Sequence, residues 1–174
     1  MTTKPKGYIN KEVAAISGAN PKTLAYYSDS GMVLPTISKG KGKGSRRLYS
    51  PGDVLKFMLI PVLSEHGLSL DQIKRVFKLL RRDLFSPSNP FLHHGMPHER
   101  GFLGVYNLTD DDFTAQVVFL PDPEACDPSV KKQFEDNLET FTVDLLNHKS
   151  VLVVEITEYI RRLETRAADT GGPA

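Results

Sequence analysis

Two groups of residues in this 174-residue chain have the types and spacing to grip a polyanion. Lys22, Thr23, Tyr26 and Tyr27 fall within one short helical stretch, Lys22 and Thr23 in its first turn. The ammonium and hydroxyls can donate to phosphate and base-edge oxygens, and the tyrosines add flat apolar rings. Core packing is the alternative use of either tyrosine. Downstream, Lys39, Lys41 and Lys43 alternate with glycine, and Arg46, Arg47 and Tyr49 follow. Clustered cations of this kind contact phosphates in a sequence-independent, salt-sensitive way. Lys74 and Arg75, on a later basic helix face, are secondary candidates for the same work, against the plainer reading of a solvated face.

Other reactive side chains are scattered. His93, His94 and His98 fall close together, and imidazole is a common metal ligand. No Cys or Asp lies beside them, so no metal is assigned. Asp110, Asp111 and Asp112 read as an exposed turn rather than a hard-cation site. Cys126 has no His nearby in sequence to activate it. No nucleophile, base and orienting group converge, so no catalytic residue and no cofactor is assigned and an enzyme is not expected.

The elements that must position the first two groups are short. Asn10 is expected to cap a helix over residues 11–17, with Gly18 ending it. Asn20-Pro21 starts a second helix, stopped by Gly31. A helix, a tight turn and a second helix match the helix-turn-helix unit, whose second helix enters the major groove. Residues 36–49 follow as two apolar-anchored arms, Ile37 on one and Leu48 and Tyr49 on the other, around a Lys/Gly tip. That is a hairpin wing or, failing that, a solvated linker. Ser50-Pro51-Gly52-Asp53 starts an apolar helix that Pro61 should kink or divide. Ser69 and Gln72 form a capping box for the next, with Leu70, Ile73, Val76, Phe77 and Leu80 on its apolar side.

Residues 86–101 lack periodicity and read as a linker. Phe102–Tyr106 and Phe113–Leu120 read as strands. Residues 129–147 read as a helix with a seam of Phe134, Leu138, Phe141 and Leu145. Residues 150–166 are a strand then a helix capped by Thr157, or one continuous helix; the β-branched run favours the first. The expectation is therefore a mostly α fold with a small amount of β. Residues 1–85 form a winged helix-turn-helix domain, 86–101 a linker, 102–168 a small α+β effector or dimerisation domain, and 169–174 a tail.

Composition fits that division. Residues 1–100 hold 16 Lys and Arg against 7 Asp and Glu, a charge of +9, whereas residues 101–174 hold 6 against 14, a charge of −8. A basic half joined to an acidic half suggests a polyanion-binding part beside one that does not touch the polyanion. Chance segregation of solvated charge is the plain alternative. No apolar run reaches the ~20 residues of a membrane span. The first seven residues lack the apolar core of a signal peptide. One cysteine rules out an internal disulfide and fits a reducing cytoplasm.

Residues 8–82 carry a specific resemblance. Val13-Ala14 with Ser17-Gly18, Pro21-Lys22-Thr23-Leu24-Ala25-Tyr26-Tyr27, and Gly31-Met32-Val33-Leu34-Pro35 occur in order. Arg47-Leu48-Tyr49 and Gly67-Leu68-Ser69-Leu70-Asp71-Gln72-Ile73 follow. Together they resemble the mercury-resistance regulator (MerR) family of transcription factors. Ala25 stands where that family usually has Arg, and Ser28 where it has Glu, so operator preference does not carry over. The family's mercury-type sensors use several cysteines, which this chain lacks. The resemblance implies a homodimeric regulator binding a two-fold promoter operator in double-stranded DNA, in contact with RNA polymerase. It leaves the small-molecule effector open. A helix-turn-helix protein adaptor with weak, non-specific DNA binding is the alternative from another class.

Overall fold

α1 (Asn10–Ser17) starts one residue earlier than its sequence suggests. Ile9, not Asn10, holds the cap position, in an extended conformation, and the Glu12 carboxylate accepts from the Ile9 amide at 2.8 Å. An acid in the first turn thus does from inside the helix what a capping side chain does from outside. In the computed structural model, residues 7–40, 46–86, 99–107, 113–121, 139 and 150–169 are described. The histidine cluster, the three aspartates, Cys126, the seam at 134–145 and the tail beyond Asp169 lie outside them.

Val13 and Ile16 bury the inner face of α1, and Gly18 closes it at φ 73°. That left-handed turn is where glycine alone is unstrained. α2 (Pro21–Asp29) opens on Asn20, whose Oδ1 accepts from the Lys22 amide at 2.8 Å. After it, the Met32 and Val33 amides both donate to the Tyr27 carbonyl, at 2.8 and 3.1 Å, and turn the chain back. Residues 36–49 return through two isolated antiparallel bridges, Ser38 with Leu48 and Tyr8 with Tyr49. The chain just before α1 is thereby paired with the returning arm.

α3 (Pro51–Glu65) is the centre of the molecule. Val54, Leu55, Phe57, Leu59, Ile60 and Leu63 are essentially solvent-free. Ser50 and Asp53 make the expected reciprocal cap, Asp53 N to Ser50 Oγ at 3.2 Å and Ser50 N to Asp53 Oδ2 at 3.0 Å. The helix passes through Pro61 undivided, with that ring exposed. Burial on either side of the proline outweighs the one lost hydrogen bond. α4 (Leu70–Leu79) has its Ser69–Gln72 box. It buries Ile73, Val76 and Phe77, whereas Leu70 is 40% exposed rather than part of that apolar side.

Three strands, β1 (Glu99–Tyr106), β2 (Thr114–Pro121) and β3 (Val151–Glu155), form an antiparallel sheet in the order β2-β1-β3. The register pairs Phe102 with Val118 and Leu103 with Val154. β1 begins inside the stretch read as linker. A strand and then a helix occupy the last segment, α5 running Thr157–Asp169. Thr157 does not cap that helix from outside: it is the first helical residue, and its hydroxyl accepts from Gly101 N at 3.0 Å and reaches Glu155 Oε1 at 3.1 Å. The side chain fastens α5 to β1.

Leu103, Val105, Phe113, Val154, Ile156, Ile160 and Leu163 join the same buried cluster as Val13, Leu55 and Ile73. α5 packs on α1, α3 and β1, and β2 packs on α4. The start of α3 also meets the chain leaving α4. A Cβ built on Gly52 would lie 2.9 Å from the Phe85 carbonyl oxygen and 3.2 Å from its Cα. Backbone cannot move aside as a flexible side chain can. Gly52→Ala should therefore cost about 1–3 kcal/mol of stability, measured by urea unfolding.

Candidate nucleic-acid interface

α2 divides cleanly by face. Leu24 and Ser28 are buried, and Lys22 and Tyr26 are exposed, Tyr26 at 58%. Thr23 and Tyr27 are half-buried between them, and Tyr27 packs against the core. The two tyrosine rings lie 5.6 Å apart at 55°. Of the pair, Tyr26 presents its ring to solvent and Tyr27 braces it. An exposed aromatic on a helix whose first turn also offers Lys22 is a surface that can meet a base edge, a sugar or a phosphate.

Ser28 accounts for one departure noted in the sequence. Its Oγ lies 2.9 Å from the Tyr49 hydroxyl in the interior. A glutamate there would have to bury its charge. Tyr49 itself is a correction. It is 1% exposed, with its ring edge-on to Phe57 at 5.4 Å and 73°. It therefore supports α2 from behind and cannot face a ligand from the surface.

Arg47 reaches α2 directly. Its Nη2 donates to Asp29 Oδ1 at 2.7 Å, joining the returning arm to the last turn of the helix. Asp29 is 63% exposed, so the pair is a surface one and contributes little to stability. The Asp29 hydrogen bond, more than any other influence, holds the Arg47 proton more firmly than usual. Arg47 thus already faces an opposite charge before any ligand arrives.

Arg46 is exposed and, with Arg47, borders a shallow basin of about 380 Å³ whose other walls are Ile9, Asn10 and Lys11. Asn10 and Lys11 were not among the expected contact residues. The signal that would have found them is the Tyr8–Tyr49 bridge, which sets the start of α1 beside the arm that carries both arginines. Lys39 is exposed on the outgoing arm. Lys41 and Lys43 lie outside the described residues.

The secondary candidates are each engaged within the fold. Lys74 Nζ donates to the Ser30 carbonyl at 3.4 Å. Arg75 stacks over Phe113, its guanidinium carbon 4.7 Å from the ring centroid, and so ties α4 to the sheet. Among the described residues no group of three or more His, Cys, Asp or Glu could hold a metal, and no helix is long and apolar enough to cross a membrane.

Residues 8–80 match the family model described as MerR HTH family regulatory protein. Proteins of Mycobacterium bovis and Mycobacterium tuberculosis, each described as an uncharacterized HTH-type transcriptional regulator, are 33% identical over 76 residues. That match takes in 44% of this chain and 34% of theirs. A Streptomyces coelicolor protein given the name heat shock protein HspR is 32% identical over 80 residues, 45% of this chain and 50% of that protein. The chain thus spans a third to a half of the curated relatives it matches.

Proposed function

We propose, because residues 8–80 match the MerR HTH family model, that this chain regulates transcription by binding a two-fold promoter operator as a homodimer. The observation that carries the reading is the split of α2 into a buried face and an exposed face that bears Lys22 and Tyr26. In this reading α2 enters the major groove. Lys22, Thr23 and Tyr26 meet bases and phosphates there, and Tyr27 and Tyr49 hold the helix at its angle.

Residues 36–49 act as the wing. The bridges at Ser38–Leu48 and Tyr8–Tyr49 support that assignment, and the lysines of the tip grip flanking phosphates. Lys11, Arg46 and Arg47 hold a further phosphate at the basin they border. The chain beyond residue 101 supplies the dimer contact or an effector response. Its packing on α1, α3 and α4 gives any change there a path to the helix-turn-helix. On the operator, realigned DNA brings RNA polymerase into register.

Selection of bound sequences from a random duplex pool, at near-physiological salt, tests the reading. Recovery of an inverted repeat supports a dimeric specific regulator. Recovery of no motif, with binding lost as salt rises, would sink it and leave an adaptor with weak DNA affinity.

The Arg47–Asp29 pair adds a signed test. Arg47→Ala removes a phosphate contact and uncovers Asp29 on the same face. It should weaken binding to all sequences by about tenfold and lower the salt slope by about 1. Asp29→Asn keeps the arginine and removes the opposing charge, so it should tighten binding a few-fold. Equal losses from the two variants would mean that the pair serves the protein's own surface and not a ligand.

A further inference from the structure

On the side of the molecule where the chain runs from α2 toward Lys39 lies a groove of about 790 Å³, of whose lining the operator-binding reading uses Lys39 alone. Met32 and Ile37 line it together with Phe77 and Phe85. The two phenylalanines meet edge to face, with centroids 5.3 Å apart at 81°, and both are nearly buried. The floor is therefore apolar and already packed. Leu34, at the rim, is 52% exposed, one of the largest apolar exposures among the described residues.

Cations ring this apolar surface. Lys39, Lys78, Arg81 and Arg82 line it, and no Asp or Glu lines the groove among the described residues. Lys56 is already engaged, 3.2 Å from buried Asp53 and 4.9 Å over the Phe85 ring. Among the described residues, none of the four rim cations is in an ion pair. Like charges gathered around bare apolar surface repel one another and leave that surface wet.

We propose that the groove binds an amphiphilic anion, a carboxylate, sulfonate or phosphate head on an apolar body of drug-like size. The volume lies within the ~300–1,000 Å³ of ordinary ligand sites. The head takes charge-assisted hydrogen bonds from Arg81 and Arg82. The apolar body covers Leu34 and the phenylalanine floor. A phosphodiester backbone meets only half of this chemistry, because it has nothing to lay on Leu34. The occupant bridges α4 to the segment leading toward Lys39.

The test uses the full chain and 1-anilinonaphthalene-8-sulfonate, whose fluorescence rises in an apolar site. One saturable site is expected, displaced by dodecanoate and not by inorganic phosphate. Arg81→Ala with Arg82→Ala, and separately Leu34→Asp, should each weaken the probe by about tenfold. Glu65→Gln, exposed elsewhere, should leave it unchanged. All four positions are at the surface, so unchanged urea midpoints keep the comparison clean. Four outcomes overturn the proposal. The first is unsaturable binding, and the second equal affinity in every variant. The third is displacement by inorganic phosphate as effective as by dodecanoate. The fourth is stronger displacement by duplex DNA or polyglutamate, which would give the groove to a macromolecule.

Discussion

Asp53→Ala should cost about 3–5 kcal/mol of unfolding free energy, the largest effect expected of any single polar change among the described residues. The carboxylate is completely buried. Its Oδ2 accepts from Thr36 N at 2.9 Å, Thr36 Oγ1 at 2.7 Å and Ser50 N at 3.0 Å. Its Oδ1 takes Lys56 Nζ at 3.2 Å. Alanine takes the acceptor from all four donors, and of these the Ser50 amide is out of reach of water. Asp53→Asn keeps an acceptor but turns one donor-facing atom into a donor, so it should lose roughly 1–2 kcal/mol. Urea unfolding with an unchanged m-value checks both. A loss below about 1 kcal/mol for the alanine would mean that the site relaxes to admit water.

The same substitution should act on binding, because Thr36 heads the outgoing arm of residues 36–49. Asp53 thus ties the root of that arm to the first turn of the central helix. The larger binding effect, however, is expected of the exposed cations. Lys22→Ala with Arg46→Ala should weaken the selected operator by about a hundredfold and lower the slope of log affinity on log salt by about 2. Both side chains are exposed, so stability should hold. The singles separate the roles. Lys22→Ala relaxes sequence preference if it reads a base edge, whereas Arg46→Ala weakens all sequences alike. A slope unmoved in the double variant would take both residues off the phosphates.

Local signals were legible, and pairings across the chain were not. Asn20, Ser50–Asp53 and Ser69–Gln72 each cap within four residues, so their function is written in the nearest neighbours. Strands over 102–106 and 113–120, and the strand-then-helix order after residue 150, followed from β-branched and aromatic runs. Asp53 looked like a helix cap and no more. That it also holds Thr36 depends on how two distant segments dock. Tyr49 sits among arginines in sequence and so looked like a surface residue. Its place under α2 is set by Ser28 and Phe57, which no local pattern announces. Arg75 belongs to a basic face by periodicity, yet a single aromatic from beyond the helical half claims it.

The packing of α5 on α1 has a temporal side. A ribosome releases α1 first and α5 last of the described elements. Val13 and Ile16 therefore wait through the synthesis of the residues between before Ile160 and Leu163 arrive to share their core. Contacts of such sequence separation raise contact order and slow folding, because the loop entropy falls due before the burial that offsets it. The helix-turn-helix emerges early with one side still unsealed. Until α5 appears, that side waits for the residues that bury it.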